Sequence, residues 1–429
     1  MKTAPSEIIR PGGSATSGSL VVFSDDWGRH PSSCQHLVRQ LLPDFKVLWV
    51  NTIGTRAPRL DLQTFRRVAE KVMQWGRRSS SKGTESSAKE SIQNHPNLTV
   101  VNPKMWPWFS TDRDRALNRW LLTRQLNSLI GKLPQPVIAL TTLPITADLP
   151  GHLSVGGWLY YCVDDFSVWP GLDGQTLRRM DQDMIRRADT LIAVSETLQG
   201  MIAAEGRTSQ LMTHGVDVDF WRNPTEDSLK QADALLDGTR GRRIVFWGVI
   251  DRRLETAAIR QLSNDCPNDT LVFIGPQQDP DPEILNLPNV VVRPPQSLNI
   301  LPGIAARSSV LMMPYANLPV TRAMQPLKLK EYLATGQAVV VNRLPSTESW
   351  EDCMDVSTSP QEFSRLVQLR LSNGVEAEQL KSRHRLDQES WLAKSQILKR
   401  TIGDLFTRRN TTEAAFSPNV ATIPSTGHC

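Results

Sequence analysis

The amino-acid sequence predicts an α/β protein built on two parallel sheets, and three observations carry that prediction. Short apolar runs alternate with helical patterns along most of the chain, the signature of strands joined by crossover helices. Eleven such runs can be counted, more than one sheet holds comfortably. A polar helical stretch then separates the segment His214–Trp221 from a fresh strand at Arg243, which places a break between two units there.

In the front half the strands read as Ser19–Phe23, Lys46–Asn51, Leu98–Asn102, Val137–Leu140, Leu159–Val163 and Thr190–Val194. In the back half they read as Arg243–Trp247, Thr270–Ile274, Asn289–Val292, Val310–Met313 and Ala338–Val341. Helical periodicity fits Gln35–Leu42, Gly174–Ala188, Glu196–Ala204 and Leu254–Leu262. Residues 76–93, rich in Ser, Lys and Glu, read as a disordered insertion, as do the tails 1–18 and 409–429. Residues 380–408 carry Trp391, Leu392, Ile397, Leu398 and Leu405 at helical spacing and read as a closing helix. The two units are expected at 19–216 and 217–379.

The stretch Pro326–Val341 is the richest. Pro326 suits a first helical turn, Gly336 a left-handed cap, and Ala338–Val341 a buried strand. Lys328, Glu331 and Thr335 fall on one helical face. A cation beside free N–H groups suits a phosphate, and a carboxylate one turn later suits a ribose diol. The same spacing fits a solvated Lys–Glu pair on an ordinary amphipathic helix.

Composition narrows the function. The chain has 429 residues and a net charge of +5, but residues 1–135 hold 20 Lys+Arg against 10 Asp+Glu, a net of +10, leaving −5 for the rest. A basic front half attracts anionic lipid, nucleic acid or phosphorylated substrates. The densest part, Arg56–Lys82, interleaves Phe65 and Trp75 with its charges, as an interfacial helix or a solvated basic one does. No helix-turn-helix, zinc-finger or RNA-binding aromatic motif accompanies it, so nucleic acid is not expected as a partner. Cys34, Cys162, Cys266, Cys353 and Cys429 are scattered, which argues for a reducing compartment. With neither a signal peptide nor an apolar run of about 18 residues, a cytoplasmic protein is expected, with peripheral contact on the inner face of the plasma membrane.

GxGxxG after a strand, GxxxxGK(S/T), HExxH and CxxC are all absent, against dinucleotide oxidoreductases, phosphate-loop ATPases and zinc proteases. Asp164 and Asp165 close a strand, the sheet edge where open α/β proteins bind ligands, although an Asp there also caps turns. Gly28, Arg29 and His30 follow the first strand, and His214 lies at the presumed junction. Gly248 ends the first back-half strand ahead of Arg252 and Arg253, an arrangement that suits a diphosphate, and Gly275 repeats that turn after the next strand. Two D-x-D pairs, Asp181–Asp183 and Asp217–Asp219, read as structural rather than metal-binding.

Five segments in order resemble the two-domain GT-B glycosyltransferases, in particular the large retaining family 4, or group 1, type. They are the loop with Arg29–His30, YYCVDD, ADTLIAVSETL with HGVDVDFW, FWGVIDRRLE, and VLMMPY with QPLKLKEYLATGQAVV, within residues 19–406. The chain is similar to bacterial teichuronic-acid and exopolysaccharide enzymes. The resemblance implies two Rossmann-like domains facing across a cleft, the front binding acceptor and the back a nucleotide sugar, UDP- or GDP-linked. It implies that Glu331 holds the ribose, that Lys328 and Arg252 or Arg253 meet the diphosphate, and that Gly248 lets backbone close on it. Asp164 or Asp165 would lie near the reacting sugar, with Gly28, Arg29, His30 and His214 on the acceptor or phosphate side. No metal and no further cofactor are implied, and the acceptor is expected to be a polysaccharide or lipid-linked glycan.

One departure stands out. Many such enzymes carry two glutamates separated by seven residues, the first contacting the transferred sugar; counting back from Glu331, that first position is Ala323 here. Loss of that glutamate leaves Thr321, Arg322 or Gln325 to act differently there. Rival readings are a nucleotide-sugar 2-epimerase on the same scaffold and a non-catalytic nucleotide-binding relative.

Overall fold

The computed structural model describes residues 18–28, 32–52 and 95–416, with side chains to residue 407. The basic stretch 56–82, the insertion at 76–93, most of both tails, and Arg29 and His30 lie outside the described residues.

Two parallel sheets form the frame. The front sheet contains β1 (Ser19–Ser24), β2 (Lys46–Asn51), β3 (Leu98–Val101), β4 (Val137–Thr141), β5 (Gly157–Cys162), β6 (Thr190–Ala193) and β7 (Gln210–Leu211). The back sheet contains β8 (Arg243–Trp247), β9 (Thr270–Ile274), β10 (Val290–Arg293), β11 (Val310–Met313), β12 (Ala338–Asn342) and β13 (Asp355–Ser357). Their orders are β3-β2-β1-β4-β5-β6-β7 and β10-β9-β8-β11-β12-β13. In each, the chain winds to one side of its first strand for two strands and then crosses back to the other side, so each has a switch point at its carboxyl edge, between β1 and β4 and between β8 and β11. Strands β7 and β13 are two and three residues long, too short to show a period in sequence.

Seven helices position the site: α1 (Ser33–Leu41), α2 (Asp112–Ile130), α3 (Gly174–Arg187), α4 (Glu196–Ala204), α5 (Pro319–Ala323), α6 (Leu327–Ala334) and α7 (Trp391–Phe416). Side-chain caps explain their starts: Ser32, Thr111, Asp173 and Ser195 each accept a backbone N–H of the first turn of α1 to α4. Pro326 is the N-cap of α6 rather than its first helical residue. Gly336 follows with φ +80°, the left-handed conformation expected of it.

Each sheet is buried in its own core. Phe23, Trp49, Leu140, Leu159 and Ile192 anchor the front core; Val245, Phe246, Phe273, Leu311 and Val340 anchor the back one. The front core also takes Trp391, Leu398, Ile402 and Leu405 from α7, so the chain returns to the front unit after finishing the back one. Trp391 stacks on His36 of α1 with ring centroids 4.6 Å apart and planes at 7°. That helix continues to Phe416, past the end at 408 expected from its apolar residues. No described helix is long and apolar enough to cross a membrane.

The candidate active site between the two sheets

The carboxyl edges of the two sheets meet. Ser195, just after β6, donates its hydroxyl to the Ala323 carbonyl at 2.8 Å, and Thr197 donates to the Arg322 carbonyl at 3.1 Å. Arg253, beyond β8, lays its guanidinium 4.7 Å from the centre of the Trp169 ring in the front unit.

On the back side, the ends of β8 and β9 are held together by missing side chains. A Cβ on Gly275 would overlap the Gly248 carbonyl, and one on Gly248 would overlap the Lys328 ammonium. Their φ values are +154° and +136°. Lys328 therefore sits directly against strand-end backbone. Its Nζ donates to the Tyr315 hydroxyl and lies 4.5 Å from the Phe246 ring centre and 4.8 Å from that of Tyr315. Gly275→Ala should lower the thermal midpoint by several degrees, since overpacking against backbone costs about 1–3 kcal/mol or more; a calorimetric scan checks it.

Glu331 stands one turn along α6. Burial pushes its carboxyl up to about 7, with Lys328 and the Trp247 indole drawing it back down. Trp247 is itself fixed: it stacks on Trp221 at 5.6 Å, meets Tyr332 edge-on at 4.3 Å, and gives its backbone N–H to the Tyr332 hydroxyl at 3.1 Å. Its buried indole N–H has no hydrogen bond of normal geometry. Thr335 turns its hydroxyl back to the Tyr332 carbonyl and does not extend the polar stripe.

The two arginines part company. Arg253 is buried, forked onto Asp251 with contacts of 2.8 to 3.0 Å, and close enough to Asp164 to lower its carboxyl. Arg252 is half exposed and leans 3.5 Å from Asp279.

The two front-side aspartates also differ. Asp165 caps a short 3-10 turn, accepting the Ser167 N–H at 3.0 Å and its hydroxyl at 2.5 Å. Asp164 Oδ1 and the Trp169 indole N–H beside it are both sealed from solvent and make no hydrogen bond of normal geometry, although the indole still acts on the carboxylate as a donor. Burial raises the Asp164 carboxyl to about 7, against the lowering effects of Trp169 and Arg253. This sealed pair lies on the front side, next to the Arg253 guanidinium.

The remaining candidates are engaged elsewhere. Gly28 has φ +76° and donates its N–H to Gln35 at 3.0 Å. His214 is buried and held neutral, its ring pushed down to about 3 by burial and by Lys330 and Lys394. Its Nδ1 lies 3.4 Å from the Tyr161 hydroxyl and its carbonyl accepts Lys330. Of the D-x-D residues, Asp181 accepts the Tyr160 hydroxyl, Asp183 pairs with Arg115, and Asp217 caps a helix turn. Around Ala323, Thr321 bonds its own turn, and Ala323 and Arg322 serve as carbonyl acceptors between the units.

Three residues here were not singled out from sequence. Buried Lys330 donates to Thr213 at 2.9 Å, to the His214 carbonyl at 2.6 Å and to Glu389. Lys394 meets the same Glu389 oxygen at 2.7 Å. This knot joins α6, the end of the front unit and the returning chain. Lys330 lies two positions from Lys328, hence on a different helix face, and that spacing is the signal available in sequence.

No protein-family model matches the chain. Over 187 residues, 41% of its length, it is 28% identical to the putative teichuronic acid biosynthesis glycosyltransferase TuaH of Bacillus subtilis strain 168. The match spans less than half, 46%, of that relative. Among solved structures, sucrose-phosphate synthase from Thermosynechococcus elongatus is similar over 91% of this chain and 99% of its own, with TM-score 0.66 and 14% identity. Anabaena HepE, solved with UDP and glucose, is similar over 90% and 99%, with TM-score 0.63 and 11% identity. Trehalose 6-phosphate synthase from Burkholderia multivorans covers 94% and 99%, with TM-score 0.60 and 11% identity. With the two strand orders, these likenesses assign the chain to the GT-B fold, two Rossmann-like domains facing each other across a cleft.

Proposed function

We propose that this chain is a glycosyltransferase of the retaining family 4 type. It moves a hexose-type sugar from a UDP- or GDP-linked donor to a polysaccharide or lipid-linked acceptor, without requiring a metal. The observation that carries the reading is the placement of Lys328 against the Gly248–Gly275 backbone, with Glu331 one turn away and Asp164 and Trp169 across the cleft.

In this reading Glu331 accepts the ribose hydroxyls and Lys328 meets the diphosphate. As the bond from the sugar C1 to the phosphate oxygen breaks, the charge on the departing diphosphate is met by Lys328 and Arg253. The acceptor oxygen takes C1, and its proton leaves with the diphosphate or toward Asp164. Asp251 and Trp169 keep Arg253 in place for this role. With no acid at Ala323, the transferred sugar is read from the front side, by Asp164 and Trp169. Peripheral contact with an anionic membrane belongs to the same reading.

Screening UDP-, GDP- and ADP-sugars for thermal stabilisation tests it, because a ligand that binds only the folded state raises the midpoint. Lys328→Ala and Glu331→Ala should each weaken the stabilising donor by roughly 10- to 100-fold, the worth of a charge-assisted hydrogen bond. Unchanged affinity in both variants would remove the site.

A further inference from the structure

The helix α2 carries apolar residues on two opposite faces. Leu122, Leu126 and Ile130 enter the front core. Arg113, Leu117, Trp120 and Arg124 recur at steps of three and four residues on the other side. There Trp120 is 55% exposed and Leu117 38%. The preceding loop adds Trp106, 39% exposed, packed against Trp108 at 4.7 Å. Lys104 is exposed beside it.

We propose that this outward face of α2, with the Trp106–Trp108 loop, docks on the surface of an anionic phospholipid bilayer. It goes beyond the donor-site reading and rests on separate residues, giving a face to the membrane contact. Charge selects the occupant. Arg113 and Arg124 pair with no carboxylate of a described residue, whereas Arg115 on the core side is neutralised by Asp148 and Asp183. Asp114 is engaged by the Trp106 indole and Thr111. Arg119, Arg124, Trp120, Thr123 and His152 line an open recess suited to a lipid phosphate. The Arg124 guanidinium stands 5.6 Å from the Trp120 ring centre. Tryptophan with flanking arginines is the composition of an interfacial helix face, its ring at headgroup depth and its cations on anionic lipid. A second copy of the chain on this face would set arginine against arginine.

The full chain is co-sedimented with vesicles of phosphatidylcholine alone or mixed with phosphatidylglycerol. Binding is expected to the mixed vesicles and to fall with salt. Arg113→Ala with Arg124→Ala should weaken it roughly 30-fold, given the contribution of each cation near such a surface. Leu117→Ser with Trp120→Ser should weaken it at least about tenfold. Both double variants should keep the wild-type melting point and its shift with nucleotide sugar, so failure here is separable from failure of the donor site. No binding to mixed vesicles, undiminished binding by both variants, or a dimer abolished by Trp120→Ser would each overturn the proposal.

Discussion

Asp164→Asn should cut sugar transfer by roughly 10²- to 10⁴-fold, the usual worth of one positioned proton-transfer group, while leaving nucleotide affinity near wild type. The substitution keeps the shape and removes the charge and the proton-accepting capacity at Oδ1, a sealed oxygen that makes no hydrogen bond of normal geometry. The pH profile separates it from a structural effect. Asp164 and Glu331 are both raised to about 7 by burial, so the wild-type profile reports the two together. If both act ionised, activity rises as pH passes about 7. In Asp164→Asn the residual turnover should lose its share of that rise, while donor affinity, resting on Glu331, still improves through about 7. The free protein should show the matching cost. With native values above the ordinary carboxylate range, the folded state holds more protons than the unfolded one between about 4 and 7. Stability therefore falls as pH rises across that window, and bound donor should offset part of the fall. Full transfer by Asp164→Asn would remove the residue from the reaction.

Glu389→Ala should destabilise the protein by about 3–5 kcal/mol, because it leaves the buried ammonium of Lys330 and the neighbouring Lys394 without their shared anion. Denaturant unfolding measures it. The loss should carry a second signature, weaker donor binding, since Lys330 lies on the same helix as Lys328 and Glu331 and ties it to the Thr213–His214 segment. Glu389 lies below its ordinary value because the lysines outweigh burial. A depressed acid adds stability above the unfolded value near 4.5 that is lost as pH falls through the folded one. Wild type should therefore lose stability on acidification through that range, and Glu389→Ala should lose less. An equally steep acid limb in the variant would show that this knot is not what couples the units.

Much of the frame was legible. Strands such as Arg243–Trp247 and Thr270–Ile274 fall where the apolar runs placed them, because a strand buried on both faces must be continuously apolar. Less was legible on α2, whose outward Leu117 and Trp120 blur the amphipathic period. At the sheet edges, local pattern could not rank neighbours. Asp164 and Asp165 read alike in sequence, yet Asp165 caps a turn while Asp164 is sealed beside Trp169 and Arg253. Arg252 and Arg253 read alike, yet only Arg253 is buried against Asp251 and Trp169.

The sequence by itself determined the alternation of strands and helices, the two-sheet division and the Lys328–Glu331 face, since each depends on residues within one or two turns of one another. Only the tertiary structure decided which residues share the cleft, because their partners lie far apart in the chain: Gly248 against Lys328, Arg253 over Trp169, Ser195 on Ala323, Lys330 on Glu389. Burial then set the charge states, raising Asp164 and Glu331 and neutralising His214, which no spacing along the chain encodes.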